Sequence, residues 1–397
     1  MKERIYIFRR ILIGRLQSIL FYLCRIFPIQ KNKIVFTTIE GTTGYACNPK
    51  YVAEELLRRG GWRLVWLVND ETKAFPDGIS RVQNTLLCRA YALSTAAVWV
   101  DNSRKQLEVR KRKGQLYIQT WHAKLGFKPT CMDRGASFSR IAYFVSKHDS
   151  ELIDYVLSNS DWYDRTLPTG MLYAGAVLRT GSPRCDILVR GRERARQALR
   201  ARFRLDAGDS VLLYAPTFRG GSQGAADRVL GREDHAPDMV RLKDALEKRF
   251  GGVWRIALRL HPQLTARHIH AGKKAPFLID VSQADDMYEI LAGCDAFLTD
   301  YSSAAFDAAV MEIPVLLYAD DCADYEKERG KLLWDLHALP FPLAQTDEEL
   351  AQRVQDFDET TYRKGLHELF RQTGMVEDGR ASGRVADVIA SWCEKMG

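Results

Sequence analysis

Histidine, arginine, serine and aspartate recur in this chain at one kind of place. Thr120-Trp121-His122 follows the apolar run 116–119. Thr217-Phe218-Arg219 comes soon after 211–214, His261-Pro262 follows 255–260, and Asp300-Tyr301-Ser302-Ser303 follows 295–299. Each run reads as a short buried strand, and ligands of parallel α/β sheets bind beyond the carboxyl ends of the strands. Imidazole exchanges a proton near neutral pH. Guanidinium offsets phosphate charge. A helix N-terminus, expected here after Ser303, favours an anion. Chemistry on a phosphate is what these groups do together. Each cluster alone also has an ordinary reading: Ser and Asp are preferred N-caps, and a lone histidine is commonly structural.

The elements that must position these groups alternate along the chain. Strands are expected at 34–38, 64–68, 97–101, 116–119, 141–145, 155–158 and 177–181, with helices at 49–59 and 86–95. That alternation is a Rossmann-like half. A very basic helix at 190–204 connects to a second half. Its strands are expected at 211–214, 255–260, 277–281, 295–299 and 315–318, and helices near 304–311, 347–354, 360–373 and 381–396. Loop 40–48 carries two glycines without forming a G-x-G-x-x-G. The basic run 104–113 has the composition of a solvated face.

At 397 residues, 46% apolar and 27% charged, two globular domains are expected. A net charge of +8 suits an anionic ligand, an anionic membrane surface or a nucleic acid, without separating them. No two of the eight cysteines stand two to four residues apart, which excludes a zinc knuckle and suits a reduced, cytoplasmic protein. No G-x-x-x-x-G-K-[ST] or G-x-S-x-G is present, which argues against a P-loop kinase and an α/β-hydrolase. No His-x-x-x-His or paired-carboxylate metal motif appears, and no metal or cofactor is called for. Asp356-Phe357-Asp358 has a D-x-D form but lies in a late charged stretch.

Residues 1–30 differ from the rest. Ile5, Phe8, Leu12, Leu16, Ile19, Leu23 and Ile26 recur at helical spacing, with Arg4, Arg9, Arg10, Arg15 and Arg25 between them. The longest uncharged run, 16–24, is too short to span a bilayer. Two readings stay open: a basic amphipathic helix on an anionic membrane surface, or a helix packed on the first domain.

In order along the chain, these clusters resemble the CDP-glycerol glycerophosphotransferase family, the polymerases and primases of teichoic acids and related capsules. Gln119-Thr120-Trp121-His122 resembles that family's Q-x-W-H-G-T box, and Lys128 the lysine shortly after it. Asn159-Ser160 is similar to its S-N-S segment, and Gly181-Ser182-Pro183-Arg184-Cys185-Asp186 to G-x-P-R-x-D. Tyr214 to Arg219 resembles Y-A-P-T-[WF]-R, Arg259-Leu260-His261-Pro262 resembles R-x-H-P, and Thr299 to Ser303 with Asp307 resembles T-D-Y-S-S-x-x-F-D. One departure stands out: Ala123-Lys124 replaces the family's Gly-Thr.

The resemblance implies a GT-B-like α/β fold, with two Rossmann-like domains facing across a cleft. The expected divisions are a 1–30 surface segment, an acceptor domain at 31–190, a nucleotide-donor domain at 191–375 and a last helix at 376–397 crossing back. The implied reaction moves a polyol phosphate from a CDP-polyol donor to a hydroxyl of a glycan or lipid-linked acceptor, releasing CMP. His122 is then the base and His261 donates to the diphosphate. Thr217, Arg219, Arg259, Asp300, Ser302, Ser303 and Asp307 fall on the donor side, and Trp121, Lys124 and Lys128 on the acceptor side. The implied location is cytoplasmic, peripheral on the inner face of the membrane. Rival readings are a GT-B glycosyltransferase using a nucleotide sugar and a non-catalytic scaffold of a glycan-assembly complex. A nucleic-acid binder is disfavoured, because the 190–204 helix has no aromatic stacking platform around it.

Overall fold

The computed structural model describes residues 2–39, 42–217, 236–259 and 275–396. In chain order the elements are α1 (Lys2–Leu23), β1 (Gln30–Thr37), α2 (Cys47–Arg59), β2 (Arg63–Val68), β3 (Ile79–Gln83), α3 (Leu86–Thr95), β4 (Ala96–Asp101), β5 (Leu116–Gln119), α4 (Arg140–Leu152), β6 (Tyr155–Ser158), α5 (Asp161–Gly170) and β7 (Ala176–Arg179). They continue with α6 (Asp186–Arg190), α7 (Arg192–Phe203), β8 (Asp209–Tyr214), α8 (Met239–Phe250), β9 (Val253–Leu258), β10 (Leu278–Asp280), α9 (Met287–Leu291), β11 (Ala296–Thr299), α10 (Ala304–Ala309), β12 (Val315–Tyr318), α11 (Cys322–Arg329), β13 (Leu343–Ala344), α12 (Asp347–Gln355), α13 (Glu359–Thr373) and α14 (Ala381–Glu394).

Two compact units divide these elements. The first holds the chain through Lys124, then Pro129–Asp186, and again everything from Gly374 onward. The second holds Leu125–Lys128 and Ile187–Thr373.

In the first unit, parallel strands run in the order β3-β2-β1-β4-β5-β6-β7. Crossover helices cover both faces, so the central strands are apolar on both sides. Phe36, Trp66, Val98, Val100 and Ile118 pack with Leu56 of α2 and Val385 and Ile389 of α14. Trp99 and Tyr117 face the other way, against Leu93 of α3 and Phe21 of α1. The chain returns to this unit at Gly374, and two quoted motifs hold the return. Asp186 accepts from the Ala381 and Ser382 amides at 2.9 and 2.8 Å, satisfying the first turn of α14. Asn159 Nδ2 and the Ser182 amide both donate to Glu377.

The second unit has a parallel sheet of order β10-β9-β8-β11-β12-β13. Leu212, Ile256, Leu298 and Leu316 pack beneath α8 and α12, with Leu246 and Leu350. The basic connector is partly consumed here. Arg192 donates to Cys294 O, Arg196 pairs with Asp295, and Arg200 donates to Asp209 O.

Three expectations need correction. Residues 141–145 are not a strand but lie within α4, which Ser139 caps by accepting from the Ala142 amide at 3.3 Å. A five-residue apolar run does not separate strand from helix by period, and the cap decides it. The basic run 104–113 is not a solvated face. Arg104 donates to Cys131 Sγ, Lys105 pairs with Asp101, Lys111 with Asp154, and Arg112 donates to Phe27 O and Ser94 O. Strands β3 and β13, absent from the sequence reading, occupy edges where alternation is weak.

Helix α1 lies on the first unit through a narrow stripe. Ile7, Gly14, Ser18 and Phe21 are buried, and a Cβ at Gly14 would stand 2.8 Å from Leu107 Cβ. Ile5, Phe8, Leu12, Leu16, Ile19 and Leu23 point the other way, each 44–68% exposed. No helix among the described residues is long and apolar enough to cross a membrane.

Candidate active site

The site residues of the first unit gather past the ends of β1, β4 and β5. Strand β5 is buried throughout and pairs with β4, Asp101 standing opposite Gln119. The Thr120 amide continues the ladder to Asp101 O at 2.7 Å, and there the chain leaves the sheet. Asp101 also tightens the neighbouring exit. Its carboxylate accepts from the Ser103 amide and hydroxyl and from Lys105 Nζ. That turn brings Asn102 O to 3.0 Å from His122 Nδ1. A carbonyl only accepts, so Nδ1 carries the proton of the neutral ring and Nε2 carries the lone pair. His122 is exposed, and Trp121 beside it is half-buried, its ring centroid 4.6 Å from the imidazole. Arg104 lies over the indole at 5.1 Å.

The two lysines expected on the acceptor side go elsewhere. Lys124 is buried, and its ammonium donates to Thr120 O at 2.5 Å and to Leu157 O, tying the ends of β5 and β6. The departure from Gly-Thr thus places a strut under the turn. Lys128 belongs to the second unit, its ammonium 5.8 Å from the Tyr325 ring. Around it Phe127 packs on Phe306 and accepts from the Leu333 amide, while Trp334 Nε1 donates to Gly126 O.

Below the histidine a buried network fills the β4–β5 interior. Tyr117 OH and the Lys105 amide donate to Asp149, and Gln119 Nε2 donates to Tyr117 OH. Burial raises the Asp149 carboxyl to about 6, against the pull of Lys105, Arg104 and Tyr117.

In the second unit Asp300 joins two strand ends. Its Oδ1 accepts from the Thr217 amide at 2.8 Å and the Tyr301 amide at 2.6 Å, and it is buried. Thr299 Oγ1 donates to Ala215 O between the same strands. Ser302 and Ser303 are half-buried at this edge. Ser302 Oγ accepts from the Ala304 amide at 3.3 Å, while Ser303 makes no side-chain cap. The helix behind them, α10, has only six residues, so its dipole is weak and the hydroxyls themselves are what this turn offers. Asp307 is buried and accepts from Tyr288 OH. Arg259 donates to the carbonyls of Ala284 and Asp285 at 2.6 and 3.4 Å, and burial lowers its pKa. It braces the 284–286 turn. Arg219 and His261 lie outside the described residues, as do His268 and His270. Among the described residues no cluster of three or more His, Cys, Asp or Glu could hold a metal ion.

Sequence reasoning missed Asn48, Asn102 and the part played by Arg184. Asn48 Nδ2 donates to Trp121 O at 2.7 Å, and its Oδ1 accepts from the Arg184 amide at 3.1 Å. Arg184 Nη1 donates to His122 O. Arg184 was visible only as one letter of a quoted motif. Asn48 carried no signal beyond its place at the start of α2.

Comparison with known proteins bears on this arrangement. Residues 19–391 match the family described as CDP-Glycerol:Poly(glycerophosphate) glycerophosphotransferase. The teichoic acid poly(glycerol phosphate) polymerase of Bacillus spizizenii is 25% identical over 98% of this chain and 99% of its own. That of Bacillus subtilis is 26% identical over 96% of this chain, which spans only 52% of the relative's length. A structure of the wall teichoic acid polymerase TagF, soaked with CDPG, shares the fold with a TM-score of 0.80 at 24% identity, covering 100% of this chain and 98% of that one. The two units are the Rossmann-like pair of a GT-B-like fold. With the family match running through both sheets, this chain belongs to the CDP-glycerol:poly(glycerophosphate) glycerophosphotransferases.

Proposed function

We propose that this chain transfers a polyol phosphate, glycerol phosphate first, from a CDP-activated donor to a hydroxyl of a glycan or lipid-linked acceptor, in synthesis of a teichoic-acid-like or capsular polymer. The acceptor oxygen forms a bond to the phosphorus that bears the polyol. The bond from that phosphorus to the bridging oxygen breaks, and CMP leaves with the oxygen. Such chemistry rests on positioning and on offsetting charge at the phosphate oxygens.

The observation that carries the reading is the His122 hydrogen bond. With Nδ1–H held by Asn102 O at 3.0 Å, Nε2 is the basic nitrogen of an exposed ring. It takes the acceptor hydroxyl's proton. In the second unit Ser302 and Ser303, with Arg219, bind donor phosphate, and His261 donates a hydrogen bond or proton to the diphosphate. Asp300 holds the Thr217 turn for them, and Arg259 braces the neighbouring turn. Trp121 borders the acceptor's approach.

The test is CMP release from purified protein given CDP-glycerol, CDP-ribitol or UDP-sugars with a lipid-linked acceptor. Acceptor-dependent CMP release is expected from a CDP-polyol, and His122→Ala lowers it at least ~100-fold, the lower range for a lost general base. UDP release from a UDP-sugar instead places the chain among glycosyltransferases.

Helix α1 supports a place on the inner face of an anionic membrane. Its exposed apolar side stands beside Arg4, Arg9, Arg10 and Arg15, the composition of an interfacial helix. Flotation with vesicles containing acidic lipid is expected for the wild type and lost on Leu16→Glu with Ile19→Glu. Equal flotation of the double variant refutes the assignment.

A further inference from the structure

The turn that presents His122 is strained. Trp121 has φ of +48°, a left-handed conformation that a bulky aromatic residue adopts only at a cost of about 1–3 kcal/mol. Such a conformation persists where the surroundings over-determine it. Here they do so bond by bond. The Trp121 amide donates to Gln119 Oε1 at 2.9 Å. Its carbonyl accepts from Asn48 Nδ2, and the next carbonyl, of His122, accepts from Arg184. Asn48 also takes the Arg184 amide on its other arm, so one side-chain amide bridges the β5 exit and the segment after β7. Asn48 is 1% exposed and Arg184 4%.

From this geometry we infer that Asn48 and Arg184 are positioning residues for His122. They clamp two consecutive carbonyls of a strained turn, and the clamp sets where the imidazole stands relative to Asn102 O. Without it, Trp121 relaxes toward negative φ and His122 Nδ1 moves off the Asn102 carbonyl. The ring then loses the bond that fixes its tautomer, and in water the Nε2–H form is favoured. The lone pair is moved to the wrong nitrogen, and the ring is displaced as well. The rate consequence rests on His122 being the base, as proposed above; the tautomer consequence does not.

The experiment uses full-length Asn48→Ala, with two readouts. The first is kcat and the KM for CDP-glycerol in acceptor-dependent CMP release. A misplacement of about 1 Å costs on the order of 100-fold, so kcat is expected to fall about that much with donor KM within about threefold. The second is the imidazole nitrogen NMR spectrum of histidine-labelled protein, the His122 signals being those missing from His122→Gln. The wild type is expected as the Nδ1–H tautomer and Asn48→Ala as mainly Nε2–H. If Asn48→Ala does not fold, Arg184→Met and Arg184→Lys replace it. Met is expected to reproduce both changes, and Lys, which keeps a donor for the His122 carbonyl, to recover most of the rate and the wild-type tautomer. An unchanged His122 spectrum in a folded clamp variant overturns the inference, whatever kcat does. If His122→Ala keeps its rate while Asn48→Ala shifts the tautomer, the positioning inference stands and the base assignment falls.

Discussion

Lys33 is a charge buried in the centre of the first sheet, and replacing it with methionine is predicted to stabilise the protein at neutral pH. It sits on β1 at 2% exposure, opposite Arg63 in the β1–β2 register. Its ammonium donates to Thr95 Oγ1 at 2.6 Å and lies 5.0 Å from the Tyr91 ring. No carboxylate pairs with it among the described residues. Burial, with a smaller push from Arg63, lowers its pKa from 10.5 to about 8. At about 1.4 kcal/mol per pKa unit, that lowering corresponds to about 3 kcal/mol against the charged form in the fold. Because the folded value lies below the unfolded one, the unfolded chain binds the extra proton between about pH 8 and 10.5. The wild type therefore gains stability as pH rises through that window, and at pH 7 the whole penalty is present. Lys33→Met removes the penalty but also the Thr95 bond and the ring contact, each about 1 kcal/mol. A net gain of about 1–2 kcal/mol at pH 7 is expected, a rise of a few degrees in the melting temperature of the first unit. Calorimetry of both proteins at pH 7 and pH 10 reads it. The gain is expected to shrink to under about a third at pH 10. An equal gain at both pH values means packing and not desolvation is responsible. A loss at pH 7 means the charge is well satisfied, and either result refutes the reasoning.

Two further changes probe the same unit. Gly181 has φ of +86°, and a Cβ there would meet Glu377 Oε2 at 2.8 Å, a carboxylate held by Asn159 and Ser182. Gly181→Ala is expected to cost about 1–3 kcal/mol and to speed hydrogen exchange across residues 376–394, with exchange elsewhere unchanged. Asp149 has its folded pKa raised to about 6, so the fold binds an extra proton between about pH 4 and 6 and loses stability as pH rises through that window. Asp149→Asn keeps the acceptor for Tyr117 and Lys105 and removes the titration. The difference in melting temperature between variant and wild type is expected to move in the variant's favour from pH 4.5 to pH 6.5.

How much of this was legible beforehand depended on how far apart the deciding partners stand in the chain. Strands 116–119, 155–158 and 315–318 and helix 86–95 coincide with their expected bounds, because a buried parallel strand and its crossover helix are read from local composition. The place of His122 followed from the strand before it. What holds His122 did not, since Asn48 and Arg184 lie 73 and 62 residues from the carbonyls they clamp. The same limit explains the basic run. Locally it has the composition of a wet surface, yet Asp154, the partner of Lys111, is 43 residues away, and Arg112 reaches Phe27 O across 85. Period alone was insufficient at α1 for a different reason. Ile5, Phe8, Leu12, Leu16, Ile19 and Leu23 share a face, and a shared apolar face ordinarily marks the buried one. Here the buried stripe instead includes Gly14 and Ser18, small residues that let the helix backbone approach Leu107 closely. Small residues identify where a helix meets protein closely, and large ones can be left for another surface. On α1 the two kinds lie on opposite sides, so the apolar face that a soluble helix would turn inward is the one turned out.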